Sequence, residues 1–308
     1  MKKYIYIVNP VSGKGRGKKV IPLIHSVSKG LGVDYNIIET KGTLDASRIA
    51  SEYSNDKNII ISVGGDGTLN EVINGIDLNT GITLSVLPVG SGNDFVKNLN
   101  YTKNIKDNLS FILQSNHENI INVDVGEVNF TENNDHKTTK YNRFINNLGI
   151  GFDAYVGFLN QNNKILSGLT SYILAVIKAL FNYNMISIDL ESNNSFIKGE
   201  KLMISIGNGI SSGGGFYLNP NAKVDDGILD LSIFEKITRR RLLSALPMAL
   251  VNKIEKVPEA SLTRTEKIKI ELKNPYYMHC DGEIISDNLR TAEITLIKGA
   301  IKVIKRKS

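Results

Sequence analysis

Two patterns of apolar residues divide the chain near Val123. Before this point the short apolar runs KYIYIV, VDYNII, NIIISV and ITLSVL each lead into a polar turn and then a segment of helical periodicity. One of these segments repeats apolar residues at i, i+3, i+4 and i+7, namely Leu69, Val72, Ile73 and Ile76. Apolar strands that alternate with amphipathic helices predict a parallel sheet covered on both faces.

Beyond Val123 the apolar residues alternate with polar or small ones in many short runs. This period of two, with turn signals between the runs, predicts antiparallel strands in a sandwich or barrel. Two helices are predicted to interrupt the strands, near residues 165–180 and 238–252. The predicted fold class is therefore α/β, with an N-terminal parallel α/β domain and a C-terminal antiparallel β-rich sandwich domain.

Composition and charge narrow the classes of function. The chain has 308 residues, of which 41% are hydrophobic, and this suits a folded protein of two domains. The single cysteine, Cys280, cannot form an intrachain disulfide and fits a reducing cytoplasm. No signal peptide is recognised, because the first apolar run breaks at Asn9-Pro10, and the stretch Ile165–Phe181 is too polar for a membrane span. The net charge of +6 favours phosphate-bearing ligands or an anionic membrane, while the lack of nucleic-acid-binding motifs argues against DNA or RNA.

Three glycine-rich turns follow predicted strands of the first domain: NPVSGKGRGKK (9–19), SVGGDGTLNEV (62–72) and PVGSGNDF (88–95). Ligands of parallel α/β sheets bind beyond the carboxyl ends of the strands, so we expect the turns to meet at one ligand. Adjacent glycines suit a backbone that a ligand approaches closely, and the helix after them presents N–H groups to an anion. Thr68 and Glu71 have the spacing of a capping box, which predicts the start of that helix. Taken alone, the turn at residues 9–19 could also be a solvated loop, and Asp66 in GGDGT could simply cap the helix that follows.

The motifs NPxSG, GGDGTLNEV and PxG[ST]xNDF, in this order, resemble the catalytic domain of the diacylglycerol kinase and lipid kinase family. The resemblance is closest to the soluble bacterial members and extends along nearly the whole chain. It implies a nucleotide-binding α/β domain at residues 1–123, joined by the C-terminal strand at about 291–308. Residues 124–290 would then form the β-rich domain that carries the metal and catalytic-base segments.

The resemblance also assigns residues to ATP, position by position. The Gly-Gly-Asp-Gly turn becomes the loop that binds the ATP phosphates. Ser91 stands where the family often has threonine, and because the hydroxyl is kept, we expect ATP binding to survive the change. The implied ATP contacts are Asn9, Pro10, Val11, Ser12, Gly13, Thr40, Gly64, Gly65, Asp66, Gly67, Thr68, Leu69, Asn70 and Ser91.

A structural magnesium ion is implied by NAKVDDGILDL, which resembles the family segment P-x-A-x-x-D-D-G. The resemblance assigns the ion to the Asp226 carboxylate and the main-chain oxygens of Lys223 and Ile228, and oxygen ligands suit Mg²⁺. Asp66 and Asp124 are expected to join Asp226 in a carboxylate–water–magnesium network. From spacing alone, the segment is typical of a β-turn before a strand.

The stretch CDGEI, at residues 280–284, resembles the Asp-Gly-Glu signature of the family. An Asp-Gly pair between strands is commonly a hairpin turn. The resemblance makes Glu283 the expected general base with Asp281 beside it, and the sequence leaves open which carboxylate accepts the proton. Phosphoryl transfer requires mainly positioning and charge neutralisation, so a carboxylate and Mg²⁺ would suffice.

These features together predict an ATP- and Mg²⁺-dependent kinase for the hydroxyl of a membrane lipid, with diacylglycerol as substrate and phosphatidic acid as product. The protein would be cytoplasmic and peripheral to the inner face of the membrane, with RRRLLSALPMAL either facing the lipid or packed as a surface helix. An NAD kinase-like phosphotransferase, which shares the GGDGT turn, and a non-catalytic nucleotide- or lipid-sensing protein remain alternatives. The sequence is compatible with a homodimer but fixes neither the oligomeric state nor the acyl chains of the lipid.

Overall fold

The computed structural model of the protein describes residues 2–133, 135–161, 169–193 and 195–307. In it the chain divides into two compact units. The first unit contains Met1–Asp124 and Lys298–Ser308, and the second contains Val125–Ile297. The last β-strand of the chain therefore begins in the second unit and ends in the first.

The first unit is built from alternating strands and helices. Its elements are β1 (Lys3–Val8), α1 (Ser12–Gly30), β2 (Tyr35–Glu39), α2 (Asp45–Tyr53), β3 (Asn58–Gly64), α3 (Asp66–Gly75), β4 (Thr83–Pro88) and α4 (Ile105–Gln114). Short 3-10 helices lie at Leu78–Thr80, Phe95–Asn98 and His117–Asn119. The strands pair in parallel in the order β2-β1-β3-β4. This arrangement confirms the parallel α/β sheet predicted from the alternating pattern.

Burial in the first unit follows the predicted pattern. Every residue of β3 is buried, as expected for a parallel strand that is covered on both faces. The apolar face predicted for the helix after GGDGT is also confirmed, since its four members are at most 2% exposed: Leu69, Val72, Ile73 and Ile76. The hydrophobic effect therefore fixes α3 against the sheet and so fixes where its N-terminus lies.

The registers of the parallel strands align their carboxyl ends. Val8 of β1 pairs with Val63 of β3, and Gly64 pairs with Pro88 of β4. The turns that follow these three strands therefore leave the sheet at the same edge.

The second unit is β-rich. It contains most of β5 (Ile120–Glu132), then β6 (Asp135–Phe144), β7 (Asn147–Gly151), α5 (Phe152–Gln161), α6 (Leu169–Asn182), β8 (Ile186–Ser192), β9 (Ser195–Gly207), β10 (Leu229–Glu235), α7 (Arg239–Leu250), β11 (Ala260–Thr265), β12 (Lys267–Cys280) and most of β13 (Glu283–Ile304). Its strands pair antiparallel in the order β11-β10-β9-β7-β12-β13, while β8 pairs with β9 and β12, and β5 with β6.

Burial alternates with a period of two along the first half of β12, as predicted, whereas in β10 the intervening residues Asp230 and Ser232 are buried too, because both faces of that strand are covered. The predicted inward residues of two runs are all at most 3% exposed: Leu229, Leu231, Ile233, Ile268, Ile270 and Leu272. They share one apolar cluster with residues of β7, β8 and β9. At the other end of β13, Lys302 and Val303 pair in parallel with β4 and so extend the sheet of the first unit.

Both helices predicted in the second half are present. The segment predicted near 238–252 is α7, and the segment predicted near 165–180 contains α6, although residues 165–168 lie outside the described part of the chain. α6 packs Ala175, Val176 and Ala179 into the core of the unit. Among the described helices, none combines the length and the apolar character that a membrane crossing requires.

Candidate active site

The turn after β1 has an unusual backbone. Gly13, Lys14 and Gly15 all have positive φ angles, of 58°, 61° and 87°. Glycine adopts this left-handed region freely, whereas lysine is strained in it. At Gly13 a second reason applies, because a Cβ there would lie 2.0 Å from the carbonyl oxygen of Val89. The first turn thus lies directly against the turn that follows β4.

The turns after β3 and β4 are joined through main-chain atoms. The N–H groups of Val89 and Gly90 both donate to the carbonyl oxygen of Gly64 at 3.0 Å. A Cβ on Gly90 would lie 2.3 Å from the Cα of Gly65, so the two backbones touch there. Packing also crowds both glycines at the start of GGDGT: a Cβ on Gly65 would lie 3.2 Å from the Cα of Gly90, and a Cβ on Gly64 would lie 2.3 Å from Oγ1 of Thr68.

Side chains tie the same three turns together. Asn9 donates from Nδ2 to Oγ1 of Thr68 at 3.1 Å, which links the turn after β1 to α3. Asp66 accepts the N–H of Asp94 at 2.7 Å, which links α3 to the turn after β4. Arg16 donates to the carbonyl oxygen of Gly90 at 2.6 Å. The three motifs singled out in the sequence therefore form one loop cluster at the carboxyl edge of the sheet.

Arg16 was not singled out by the sequence. Its guanidinium also donates to the carbonyl oxygen of Gly13 at 3.1 Å, so it clamps two turns of the loop cluster. Within KGRGKK it could not be told from its neighbours Lys14, Lys18 and Lys19, which are exposed. These lysines border an open hollow next to Pro10 and are placed to attract an anion.

The predicted capping box is wrong. α3 begins at Asp66, its N-cap is Gly65 in an extended conformation, and no side chain of the cap residue bonds to the helix. Thr68 instead accepts from Asn9, and Glu71 accepts the N–H of Ala46 in α2 at 3.2 Å. Tertiary contacts thus take both side chains away from the helix start. The N-cap residue is glycine and therefore offers no side chain to cap the helix. Such an N-terminus suits an anion, because its N–H groups point outward.

The remaining residues that are predicted to contact ATP lie in or next to the loop cluster. Thr40 follows β2 and donates its N–H to Val8 at 2.8 Å, which places it beside the turn after β1. Ser91 is exposed at the tip of the turn after β4, while Leu69 and Asn70 are buried in α3. The loops also bring together Asn9, Pro10, Val11, Ser12, Gly13, Gly64, Gly65, Asp66, Gly67 and Thr68.

Asp124 has a structural environment of its own. It lies in β5, only 2% exposed, and its Oδ1 accepts the N–H of Gly299 at 2.6 Å. Gly299 has a φ of 57°, so this carboxylate supports a left-handed turn within β13. Its membership of a magnesium network stays a prediction.

In the second unit, the Asp-Gly pair is a two-residue hairpin turn between β12 and β13. Asp281 and Gly282 have φ angles of 51° and 87°, and Cys280 pairs with Glu283. Positive φ at both central residues is the mark of a type I′ turn, for which Asp-Gly is a favoured sequence. The hairpin expected from the pair alone is confirmed, and the turn presents Glu283 at the surface.

The two carboxylates of this turn have different surroundings. Asp281 is 6% exposed and accepts the main-chain N–H groups of Ile145, Asn146 and Asn147 at 3.1, 2.9 and 2.9 Å. Glu283 is exposed, and its Oε2 accepts from the amide of Gln161 at 3.2 Å. Asp281 therefore anchors the segment before β7, whereas Glu283 reaches solvent.

A buried histidine lies behind the turn, and the sequence did not reveal it. His279 is 2% exposed, and its Nε2 lies 3.2 Å from Oδ2 of Asp153, which is itself 4% exposed. The N–H of Gly282 donates to Nδ1 of His279 at 3.3 Å. Sequence spacing gave no signal for this pair, because 126 residues separate its members.

The predicted metal segment contains an ion pair. Asp226 contacts the guanidinium of Arg264, whose Nε lies 3.6 Å from Oδ2 of Asp230. Burial raises the pKa of Asp230 to about 6, with Arg264 opposing and the charge of Asp226 adding to the effect. Among the described residues, no three His, Cys, Asp or Glu side chains cluster as metal ligands. The sequence missed both Arg264 and Asp230.

The donor set of this segment nevertheless fits magnesium. Asp226 supplies a carboxylate on a turn that Gly227 makes with a φ of 73°, and Lys223 and Ile228 lie within three residues of it in the chain. Oxygen ligands from one or two carboxylates, completed by water, are what Mg²⁺ takes in proteins. Oδ2 of Asp230 is buried without a hydrogen-bond partner among the described atoms, and its nearest cation is the Arg264 guanidinium, with Nε at 3.6 Å.

The apolar interior of the second unit is tightly packed. A cavity of about 50 Å³ lies among α5, α7 and the neighbouring strands, lined by side chains such as Val176, Phe234 and Leu242. That volume holds about a few water molecules. α6 and α7 thus pack as core helices here, and the cavity is too small for an acyl chain.

Two sequence families match the chain, one for each half. The diacylglycerol kinase catalytic domain matches residues 3–128, and the YegS C-terminal NAD kinase beta sandwich-like domain matches residues 146–305. Proteins named diacylglycerol kinase from Staphylococcus haemolyticus and Staphylococcus epidermidis are each 30% identical, over 90% of this chain and 81% and 84% of their own. The chain belongs to the bacterial diacylglycerol kinase and YegS-like family of lipid kinases.

Solved structures agree with this family at the level of the fold. A diacylglycerol kinase structure from Bacillus anthracis superposes with a TM-score of 0.76 and 24% identity, over 99% of this chain and 97% of the other. Yeast NADH kinase has a TM-score of 0.55 at 9% identity, over 99% of this chain and 84% of that enzyme, a likeness of fold alone. The mixed α/β domain and the sandwich-like domain predicted from the sequence are thus confirmed. Membership of the lipid kinase family implies an enzyme that uses ATP and acts on a lipid.

Proposed function

We propose that this lipid kinase transfers the γ-phosphoryl group of ATP to the hydroxyl of diacylglycerol, with Mg²⁺, and releases phosphatidic acid and ADP. The observation that carries the proposal is the loop cluster of the first unit, in which all three family motifs meet. The relatives named diacylglycerol kinase support the choice of lipid.

The loop cluster supplies what ATP phosphates require. The N-terminus of α3 directs main-chain N–H groups outward, and the positive end of the helix dipole favours negative charge. Lys14, Lys18 and Lys19 add positive charge beside it.

Glu283, rather than Asp281, is the proposed general base. The oxygens of Asp281 already accept three main-chain N–H groups in a buried site, so a substrate hydroxyl would have to displace them. Glu283 is exposed on the same turn and can reach an alcohol at the surface. In the proposed step the lipid oxygen attacks the γ-phosphorus, Glu283 takes the hydroxyl proton, and the bond to the ADP oxygen breaks.

Magnesium is proposed to bind at the turn after Ala222. Asp226 would supply a carboxylate oxygen, and Lys223 and Ile228 main-chain oxygens. When bound there, Mg²⁺ would neutralise the carboxylate and order the turn as a structural ion, and Mg²⁺ brought with ATP would neutralise charge on the phosphates. Because Asp226 forms an ion pair with Arg264, binding of the metal would replace part of that contact.

The exposed face of α6 is the proposed contact with the membrane. Four large apolar side chains on this face are between 36% and 65% exposed: Ile173, Leu174, Ile177 and Phe181. The Arg239 guanidinium lies 6.0 Å from the Phe181 ring, and Lys178 is exposed one residue after Ile177. An apolar face with cations beside it suits an anionic lipid surface, and we place the enzyme peripherally at the inner face of the membrane.

The proposal is tested by the transfer of labelled phosphate from ATP to diacylglycerol in anionic mixed micelles, with and without Mg²⁺. NAD and a total bacterial lipid extract serve as competing acceptors. Label in phosphatidic acid that depends on Mg²⁺ is the expected result. Label in NAD would show an NAD kinase, and ATP binding without transfer to any acceptor would show a sensor; either result would overturn the proposal.

A further inference from the structure

The turn that carries Glu283 is supported from behind by a buried polar pair in the same unit. His279 lies in β12, two residues before Asp281, and Asp153 lies in the first turn of α5. Their side chains are each only 3% exposed. A buried carboxylate next to a buried imidazole is costly unless every polar atom has a partner, so the pair calls for a structural reason.

The hydrogen bonds of the pair fix the protonation state of the ring. The N–H of Gly282 can only donate, so Nδ1 of His279 must accept and carries no proton. The proton of the neutral ring is then on Nε2, which donates to Oδ2 of Asp153 at 3.2 Å. Oδ1 of Asp153 accepts the N–H of Ala154 at 2.8 Å, which fixes the orientation of the carboxylate. A chain of three hydrogen bonds thus runs from α5 through the ring to Gly282.

The pair lies directly against the main chain of β7. A Cβ on Gly149 of β7 would lie 2.0 Å from Oδ2 of Asp153 and 2.3 Å from Nε2 of His279. Only glycine at this position leaves space for the ring and the carboxylate beside the strand. Gly149 pairs with His279 itself, so the contact is part of the β7–β12 pairing.

We propose that His279 and Asp153 are positioning residues for Glu283. Neither touches substrate; Asp153 holds the ring in the Nε2-protonated tautomer, and the ring holds the N–H of Gly282. Because Gly282 immediately precedes Glu283, this bond sets the direction in which the base leaves the turn. The inference rests on the proposed function, in that Glu283 is the base whose geometry matters.

The decisive variant is Asp153→Asn, which keeps the size of the side chain and reverses one hydrogen bond. The amide oxygen replaces Oδ1 as the acceptor of Ala154, so the NH₂ group faces Nε2 of His279 and requires it to accept. The ring must then carry its proton on Nδ1, and the bond from Gly282 is lost. We expect kcat to fall about 10- to 100-fold, the range for residues that orient an active group, while KM for ATP stays within about twofold.

His279→Asn is the matched rescue variant, because its Oδ1 can accept from Gly282 near the position of Nδ1. We expect it to retain more of kcat than His279→Phe, which offers no acceptor. Leu190→Ala, in the core of the same unit, controls for lost stability: it should lower the melting temperature and leave kcat within about twofold.

Long-range ¹H–¹⁵N spectra of labelled histidine separate this inference from the proposed function, since they require no turnover. The expected result is a ring protonated on Nε2 in the wild type and on Nδ1 in Asp153→Asn. A wild-type ring protonated on Nδ1, or an unchanged kcat in a folded Asp153→Asn variant, would overturn the positioning role. An inactive wild type with the Nε2 tautomer would contradict the proposed lipid kinase reaction and leave the hydrogen-bond chain standing.

Discussion

The loop cluster of the first unit and the Asp281–Glu283 turn of the second are built by different means. In the loop cluster the main chain makes most of the contacts, and glycines allow two backbones to touch, as at Gly65 and Gly90. In the turn, the buried side chains of His279 and Asp281 hold a short loop in place by bonding to the turn itself and to distant parts of the chain, namely Asp153 and the main chain of residues 145–147. The first design shows itself in the sequence as motifs, whereas in the second only the Asp-Gly-Glu turn does, and its buried support leaves no local signal.

The largest expected effect comes from substituting the two carboxylates of the Asp281–Glu283 turn one at a time. Glu283→Gln should lower kcat by about 10²- to 10⁴-fold, the usual contribution of a general base, without changing the free energy of unfolding. Asp281→Asn should instead lower the free energy of unfolding by about 1–3 kcal/mol, because an amide NH₂ would face main-chain N–H donors in a buried site.

Kinase rates and thermal unfolding of both variants check this contrast. If Asp281→Asn lost at least as much kcat as Glu283→Gln while its stability was unchanged, the assignment of base and anchor would be reversed.

In the first unit, Gly90→Ala should damage the loop cluster. Its Cβ would meet the Cα of Gly65 at 2.3 Å, and forcing such an overlap costs about 1–3 kcal/mol. The displaced turns should weaken ATP binding about tenfold, which is 1.4 kcal/mol. Gly42→Ala is the matched control, since a Cβ there meets nothing within 4 Å. Calorimetric titration with ATP measures both, and equal affinities for the two variants would show that the glycine contact is not required.

The metal segment offers a smaller contrast between neighbouring carboxylates. Asp226→Asn should raise the Mg²⁺ concentration for half-maximal activity about tenfold, as expected for losing one oxygen ligand or its support. Asp225→Asn, one residue away and also exposed, should change it by less than about twofold. A titration of activity with Mg²⁺ distinguishes the two variants. The same shift in both would contradict magnesium binding at this turn.

The last prediction concerns membrane binding by the exposed face of α6, which is not part of the contrast between the two sites. Burial of a phenylalanine is worth about 1.5–3 kcal/mol, so Phe181→Ser should weaken binding to anionic vesicles about tenfold or more. Phe196→Ser is a close control, because Phe196 is 60% exposed and also lies beside a cation, with Lys198 Nζ 4.5 Å from the ring centre. Sedimentation with phosphatidylglycerol vesicles measures both.

Three other outcomes of that experiment would contradict membrane docking by α6. They are equal losses in the two variants, binding to neutral vesicles as strong as to anionic ones, and self-association that Phe181→Ser abolishes. The last result would identify a second copy of the chain as the occupant of this face.

The fold was largely predictable from the sequence because hydrophobic periodicity reports burial directly. The period of 3.6 in α3 and the period of two in β12 both matched the buried residues, whereas β10 is buried on both faces. The loop cluster was predictable too, since glycine is required where backbones meet. The capping box failed because propensity reports only local partners, while Thr68 and Glu71 bind Asn9 and Ala46 in other elements.

What the sequence could not reveal depends on contacts between distant residues. Arg264 lies 38 residues from Asp226, and His279 lies 126 residues from Asp153, so no spacing rule links them. Arg16 was hidden by the lysines around it. Each of these side chains takes its role from the element against which it packs, and such packing is not encoded in a local pattern.

The most direct test of the contrast between the two regions measures ATP affinity and single-turnover phosphoryl transfer to diacylglycerol in the same samples of wild type, Gly90→Ala and Glu283→Gln. The account predicts that Gly90→Ala loses affinity but keeps the transfer rate at saturating ATP, while Glu283→Gln keeps affinity and loses the rate. Loss of the same quantity in both variants would contradict the division between a main-chain nucleotide site and a side-chain catalytic turn.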